Sequence, residues 1–407
     1  MKKTLIALAV GSAFVAPAAY ADVTLSGSIN MGIAYAKSGD QSTAAGNSIT
    51  PATNGGHSLS NTQLTNNYTN ITIGSLEDLG GGLKLDFAFQ MRPNLTNNDA
   101  VFNRNSHIGL VGDSWGGFYY GTNEQLYESY FYTVDPLDGA AGIGGNLQML
   151  GTPGYRVVFD DNGNGTPAGA GFYRRDPQSI WYNSPNWGGF TFGAYTTTTA
   201  FKTAGGQDPQ IWGGGLKYVG PTVPIQLWAA YEQHKDLDGL NTIQGFGDIP
   251  ANPLTGNGAT STKDKAYQVG VGYTLGDIFL FANFEQLKYE ASGITDLALL
   301  DEYKRKAWSV GMKWNVATGY FGAQYIQAQD GTCSLAGPGS CNASETGARM
   351  VGLGYYHTLS KQTQAYVMGT YIKNKDEATY ILAGAGTPSA LPGATQSAIT
   401  VGLKHSF

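Results

Sequence analysis

Charge is scarce in this chain. Lys, Arg, Asp and Glu make up 13% of its 407 residues, about half of the ~25% usual in a soluble globular domain. Cysteine is rarer still, at two residues, so at most one disulfide can form within the chain. No run of about 18 apolar residues follows the N-terminal segment, which excludes membrane-spanning helices. No nucleophile elbow, phosphate loop or nucleotide motif is present, and the five histidines are scattered without ligand spacing. No catalytic site, metal site, cofactor or nucleic-acid partner is therefore expected.

Glycine and tyrosine, by contrast, are abundant: 58 Gly, 25 Tyr and 12% aromatics overall suit short twisted strands joined by many turns. The last dozen residues show the pattern most clearly. Ile399, Val401, Leu403 and Phe407 share one parity, broken only by His405, while Ala398, Thr400, Gly402, Lys404 and Ser406 take the other. A strand with one apolar and one polar or small face follows. A chain that stops on such a strand is expected to pair it with its first strand in a closed barrel, which leaves no edge. At the other end, Lys2 and Lys3, the apolar stretch Leu5 to Val15 and Ala19-Tyr20-Ala21 read as a cleaved secretory signal peptide over 1–21. Removing it takes two lysines and no acids, leaving 24 − 2 = 22 basic against 30 acidic residues, a net charge of −8. The slightly negative mean hydropathy agrees with a barrel, whose strands present lipid only at every second residue.

The same alternation recurs in sixteen segments: 23–37, 65–76, 83–92, 104–112, 117–123, 175–184, 190–201, 210–219, 224–235, 264–275, 278–289, 304–315, 319–330, 348–358, 364–374 and 395–407. Fourteen or eighteen also lie within the softness of strand ends, which is about 2–4 residues. Short turns such as Leu275 to Asp277 and Val316 to Thr318 alternate with long polar connections such as Ser38 to Leu64 and Gly331 to Gly347. Short turns on one side and long loops on the other mark an antiparallel transmembrane β-barrel occupying 22–407.

The turns carry a resemblance. Glu77-Asp78-Leu79-Gly80-Gly81-Gly82-Leu83-Lys84, Tyr356-His357-Thr358-Leu359-Ser360-Lys361-Gln362-Thr363 and Gly402-Leu403-Lys404-His405-Ser406-Phe407 resemble the first turn, last turn and terminus of Gram-negative general porins of the β-proteobacterial type. Arg175 through Tyr182, with Ser184-Pro185 and Gly188-Gly189-Phe190, resembles that family's sixth strand and turn. The resemblance implies a homotrimeric, 16-stranded outer-membrane channel for passive diffusion of ions and small hydrophilic solutes. It also implies contact with outer-membrane lipid and lipopolysaccharide, and recognition of Phe407 by the outer-membrane assembly machinery. A substrate-selective or anion-preferring porin, a plugged structural or adhesin barrel and an outer-membrane hydrolase are the alternatives.

In such barrels the third external loop folds inward, and here the third long connection, 124–174, is the longest. Its Glu124, Glu128, Asp135 and Asp138 are expected at the constriction, facing Arg92, Arg104 and Arg175 on the wall. The family's wall arginines are absent at two places, where Asn70 and the Thr122 of Gly121-Thr122 stand instead. Uncompensated carboxylates in a narrow bore attract cations, so a weak cation preference is expected. Small inward residues such as Ser26, Ser28, Thr72, Gly270 and Ser309 would line water. Cys333 and Cys341, in one external loop on an oxidising route, are expected to form a disulfide. Asp160 to Gly165 matches only the start of a calcium loop, because Gly171 stands at the twelfth position, so it reads as a turn.

Overall fold

The computed structural model describes residues 22–39, 59–93, 95–96, 102–138, 142–154, 158–159, 165–166, 171–200, 202, 208–237, 239–243, 261–382 and 392–407. The leader segment 1–21 and Asp160 to Asn164 lie outside the described residues.

Sixteen antiparallel strands close into a barrel. They are β1 Thr24–Gly39, β2 in two pieces (Leu59–Asn66 and Asn70–Gly80), β3 Leu83–Arg92, β4 Phe102–Gly112, β5 Gly116–Glu124, β6 Arg175–Asn183, β7 Phe190–Thr197 and β8 Gln210–Val219. The remaining strands are β9 Ile225–Lys235, β10 Ser261–Leu275, β11 Ile278–Ser292, β12 Leu300–Val316, β13 Gly319–Ala328, β14 Ala348–Thr358, β15 Thr363–Asn374 and β16 Thr395–Ser406. Each pairs with its neighbours in sequence, and β1 meets β16 from Ser28↔Ser406 to Gly39↔Thr395. Two further bonds seal this seam, Gly27 N–H to Phe407 O at 3.0 Å and Phe407 N–H to Gly27 O at 3.1 Å. Closure leaves no unpaired sheet edge, which the interior of a bilayer would not tolerate.

The two-residue period decides which way each side chain points. On β1, Ile29, Ile33 and Tyr35 are exposed on the outside while Asn30, Ala34 and Ala36 are buried inside. Outward Phe89, Leu110, Phe118, Phe192, Val269 and Val401 continue the apolar belt around the barrel. At the first turn Gly80, Gly81 and Gly82 all have positive φ, 85°, 63° and 78°, a backbone that only glycine adopts without strain.

Three departures from the alternation have local causes. The second strand starts at Leu59 and breaks at residues 67–69, where Tyr68 takes φ 65°. The Asn67 N–H still donates to Asn30 O (2.8 Å), and Asn30 N–H donates to the Thr69 hydroxyl (3.0 Å), so the Asn30 backbone stays paired across the break. Strands β10, β11 and β12 run to 15, 15 and 17 residues. They continue beyond the apolar stretch on outward lysines and glutamates, which hydropathy alternation does not register. Strand β7 stops at Thr197 instead of 201.

Candidate functional site

The long connection after β5 folds into the barrel. It opens with a short helix, α1, Leu126–Phe131, whose Tyr127, Tyr130 and Phe131 are buried. Its side chains and those of Phe172 and Tyr173 join inward residues of β9 to β15, such as Trp228, Leu287, Tyr289, Ile326, Met350 and Ile372, in one apolar cluster. The loop therefore lies against that side of the lumen. On the other side, inward Asp86 of β3 remains 31% exposed.

The root of the loop is an ionic knot. Glu124 and Arg175 face one another across β5 and β6. The Arg175 guanidinium donates to Glu124, Glu128 Oε1 lies 3.6 Å from it, and Arg104 stands 3.8 Å from Glu124. The Tyr132 hydroxyl lies 2.7 Å from Glu128 and 3.1 Å from Glu124. Tyr68, turned inward by the break in β2, places its ring 4.6 Å beneath Arg104 and edge-on to Tyr132 at 5.8 Å. Burial pushes the Glu128 carboxyl up to about 8, because the ionised form has lost its water. Arg92 reaches the Asn66 carbonyl at 3.3 Å on the same wall.

The middle of the loop turns at Asp135, whose side chain accepts from Leu137 N–H at 3.2 Å. Asp138 pairs with Lys404 of β16. Leu137 enters a hollow that glycines keep open. A Cβ at Gly352 would stand 2.6 Å from it, and one at Gly322 would stand 2.2 Å from Pro136 O. Around this hollow Tyr320, Tyr356 and Tyr366 lie at matching register on β13, β14 and β15. Their rings stack at 4.5 and 5.2 Å. Tyr356 donates to the Leu137 carbonyl, Tyr366 accepts from Asn67 at 2.9 Å, and Lys313 sits 3.9 Å above Tyr320.

The returning arm is held by a buried pair, Glu285 of β11 and Arg305 of β12, 2.5 Å apart. Glu285 accepts from Gly151 N–H (2.9 Å) and from the Tyr127 hydroxyl (2.9 Å). Arg305 donates to Met149 O at 3.0 Å and to Thr152 O. Wall and loop thus share hydrogen bonds in a site shut off from water.

The seven charged residues singled out in the sequence fall into two groups rather than one ring. Glu124, Glu128, Arg104 and Arg175 meet at the root, with Arg92 beside them, whereas Asp135 and Asp138 lie where Lys404 and Lys313 project. Asn70 does face inward, toward Ser28. Thr122 pairs with Ser106 where β5 shifts register, and it is half-buried. Gly270 lies under the Trp228 ring and Ser309 is buried, so neither lines open water. Sequence reasoning missed Glu285 and Arg305, although a carboxylate and a guanidinium at inward parity in mid-strand were a readable signal. Cys333 and Cys341 are joined within their external loop, with Cα atoms 6.0 Å apart.

The family model of the Gram-negative porins matches residues 4–377. The chain belongs to that family. Over its whole length this porin is 26% identical to an outer membrane porin protein of Bordetella pertussis and 28% identical to outer membrane porin protein 32 of Delftia acidovorans, each relative also covered in full. Among solved structures, the anion-selective porin from Comamonas acidovorans superposes with a TM-score of 0.70 at 22% identity, covering 95% of this chain and 100% of that one. A trimer form of OmpT from Vibrio cholerae gives 0.58 at 12% identity, covering 95% and 99%. The porin resides in the Gram-negative outer membrane, and its relatives are channels rather than enzymes.

Proposed function

We propose that this porin is a homotrimeric passive diffusion channel for ions and small hydrophilic solutes, with residues 1–21 removed on export and Phe407 read by the assembly machinery. The observation that carries the reading is a sixteen-strand barrel into which the long loop after β5 folds. A barrel of this size is too wide for wall side chains to fill and encloses an aqueous bore, which loop 124–174 narrows. Purified protein in liposomes should let small sugars equilibrate without an energy source. Liposomes that stay sealed would favour a plugged, structural barrel.

The charges at the loop support a weak anion preference. The local argument for cations needed uncompensated carboxylates, and those of Glu124 and Asp138 are engaged by Arg175, Arg104 and Lys404. Lys217, Lys313 and Lys404 stand beside the loop with Arg104 and Arg175 at its root, and burial keeps Glu128 largely protonated at neutral pH. A zero-current potential under a salt gradient tests this. Chloride should pass more readily than potassium, and Lys313→Gln with Lys404→Gln should move the potential toward cations. A wild-type channel that prefers potassium would restore the cation reading.

A further inference from the structure

The apolar run Tyr380-Ile381-Leu382 stands in the external connection between β15 and β16, where facing water would cost it the benefit of burial. The fold gives the reason for it. Residues 375–382 turn inward from the end of β15 as a strap. Its Ala378, Tyr380 and Leu382 are buried in the cluster that also takes Phe172 and Tyr173 of loop 124–174. Leu240, from the connection after β9, joins the same cluster. Three connections thus crowd the outer part of the lumen along β9 to β15.

Two contacts hold the strap in place. On the wall, Asn374 ends β15 with its side-chain amide turned to the strap and is itself buried. Its Nδ2 donates to Tyr380 O and to Ala394 O, each at 2.9 Å, and its Oδ1 accepts from Tyr380 N–H at 2.9 Å. On the loop, Thr379 N–H donates to Gly154 O at 3.1 Å, and the Thr379 hydroxyl donates to the same oxygen at 3.3 Å. Gly154, at φ 88°, leaves room for the Tyr380 ring, from which a Cβ there would stand only 2.4 Å. The strap therefore joins the wall on one side and the returning arm of loop 124–174 on the other.

Apolar packing alone would not fix this position. A backbone N–H or C=O carried among apolar side chains must find a partner or pay for the loss of water. Asn374 meets both needs of Tyr380 at once, because a side-chain amide donates and accepts. Without that amide, docking would orphan both backbone groups, and the strap would be better placed outside, in water. We propose that Asn374 is a positioning residue that sets the size limit of the channel's outer entrance by docking Thr379 and Tyr380 on the arm at Gly154. The strap fills part of the lumen while docked and vacates it when released. The proposal rests on the channel reading and deepens it, by naming what limits the size of the solutes that enter.

The test reads docking and permeation separately, in the full-length porin. Asn374→Asp keeps the acceptor but loses both donors. Docking is followed by a membrane-impermeant maleimide on a thiol introduced by Thr379→Cys, Cys333 and Cys341 being joined to each other. Loss of two hydrogen bonds of ordinary strength should make labelling about 30-fold faster in Asn374→Asp than in the background with Asn374 intact. Permeation is followed as liposome uptake of glucose and of the trisaccharide raffinose. The raffinose-to-glucose ratio should rise several-fold in the variant, whereas general loosening of the barrel would raise both uptakes alike. Gly154→Val approaches the strap from the loop side and serves if Asn374→Asp fails to fold. It should raise the same ratio, and the two substitutions together should exceed either one only slightly, because both release one contact. Unchanged labelling, or a wild-type ratio in both single variants, would overturn the proposal while leaving the channel reading intact. Wild-type liposomes sealed even to glucose would overturn the channel reading, and this proposal with it.

Discussion

A carboxyl enclosed by protein resists ionising, and Glu128 shows how one buried group can tie a loop to pH. Its value rises from an ordinary 4.5 to about 8, chiefly through burial, against the Tyr132 hydrogen bond that acts in the other direction. Between those values the folded protein keeps a proton that the unfolded chain would release. The stability Glu128 lends the loop root is thus complete below about pH 4 and declines as the pH rises toward 8. Protease cleavage of loop 124–174 should accelerate over that range in wild type and stay flat in Glu128→Gln. A pH profile shared by both proteins would assign the effect elsewhere. Gly322 offers a steric counterpart: a Cβ there meets Pro136 O at 2.2 Å, so Gly322→Val should lift the middle of the loop. Single-channel conductance should change measurably while the heat stability of the barrel moves by under about 1 kcal/mol, since no barrel contact is removed. An unaltered conductance would show that the loop absorbs the clash.

Among the elements, the returning arm of the loop depends most on one contact. Glu285 and Arg305 belong to neighbouring strands, yet between them they bind the arm at Met149, Gly151 and Thr152. Deleting one partner of a buried pair leaves the other charged and unmatched, at a cost of about 3–5 kcal/mol. Glu285→Ala should therefore release the arm and produce flickering, noisy currents, with Arg305→Ala giving the same phenotype. Quiet single-channel traces from both variants would show that the apolar packing of Phe172 and Tyr173 suffices. The strands also show what period-two patterning reads well and poorly. Strand β16 was legible from Ile399, Val401 and Leu403 because their alternation reflects a local choice between lipid and lumen. The break in β2 was not legible, because Tyr68 turns inward to meet Arg104 and Tyr132, which come from elsewhere in the chain.

For the whole molecule, closure at β1 and β16 places Phe407 at the seam with its backbone bonded to Gly27 and its ring 40% exposed. Phe407→Ala keeps both backbone bonds and loses mainly outward apolar area. Folded trimer in cells should fall several-fold, while the melting of barrel refolded in vitro should shift by only about 1 kcal/mol. Equal cellular yields would remove any assembly role for the ring. The sequence by itself determined the barrel, the direction of its faces and the loop that enters it, because inside–outside alternation and turn chemistry are local properties written residue by residue. Only the tertiary structure decided which charges meet. Asp138 finds Lys404 at a separation of 266 residues, and Gly151 finds Glu285 at 134. Such pairings depend on the path of a long loop through a closed barrel, where packing against distant strands, not local periodicity, chooses the partner.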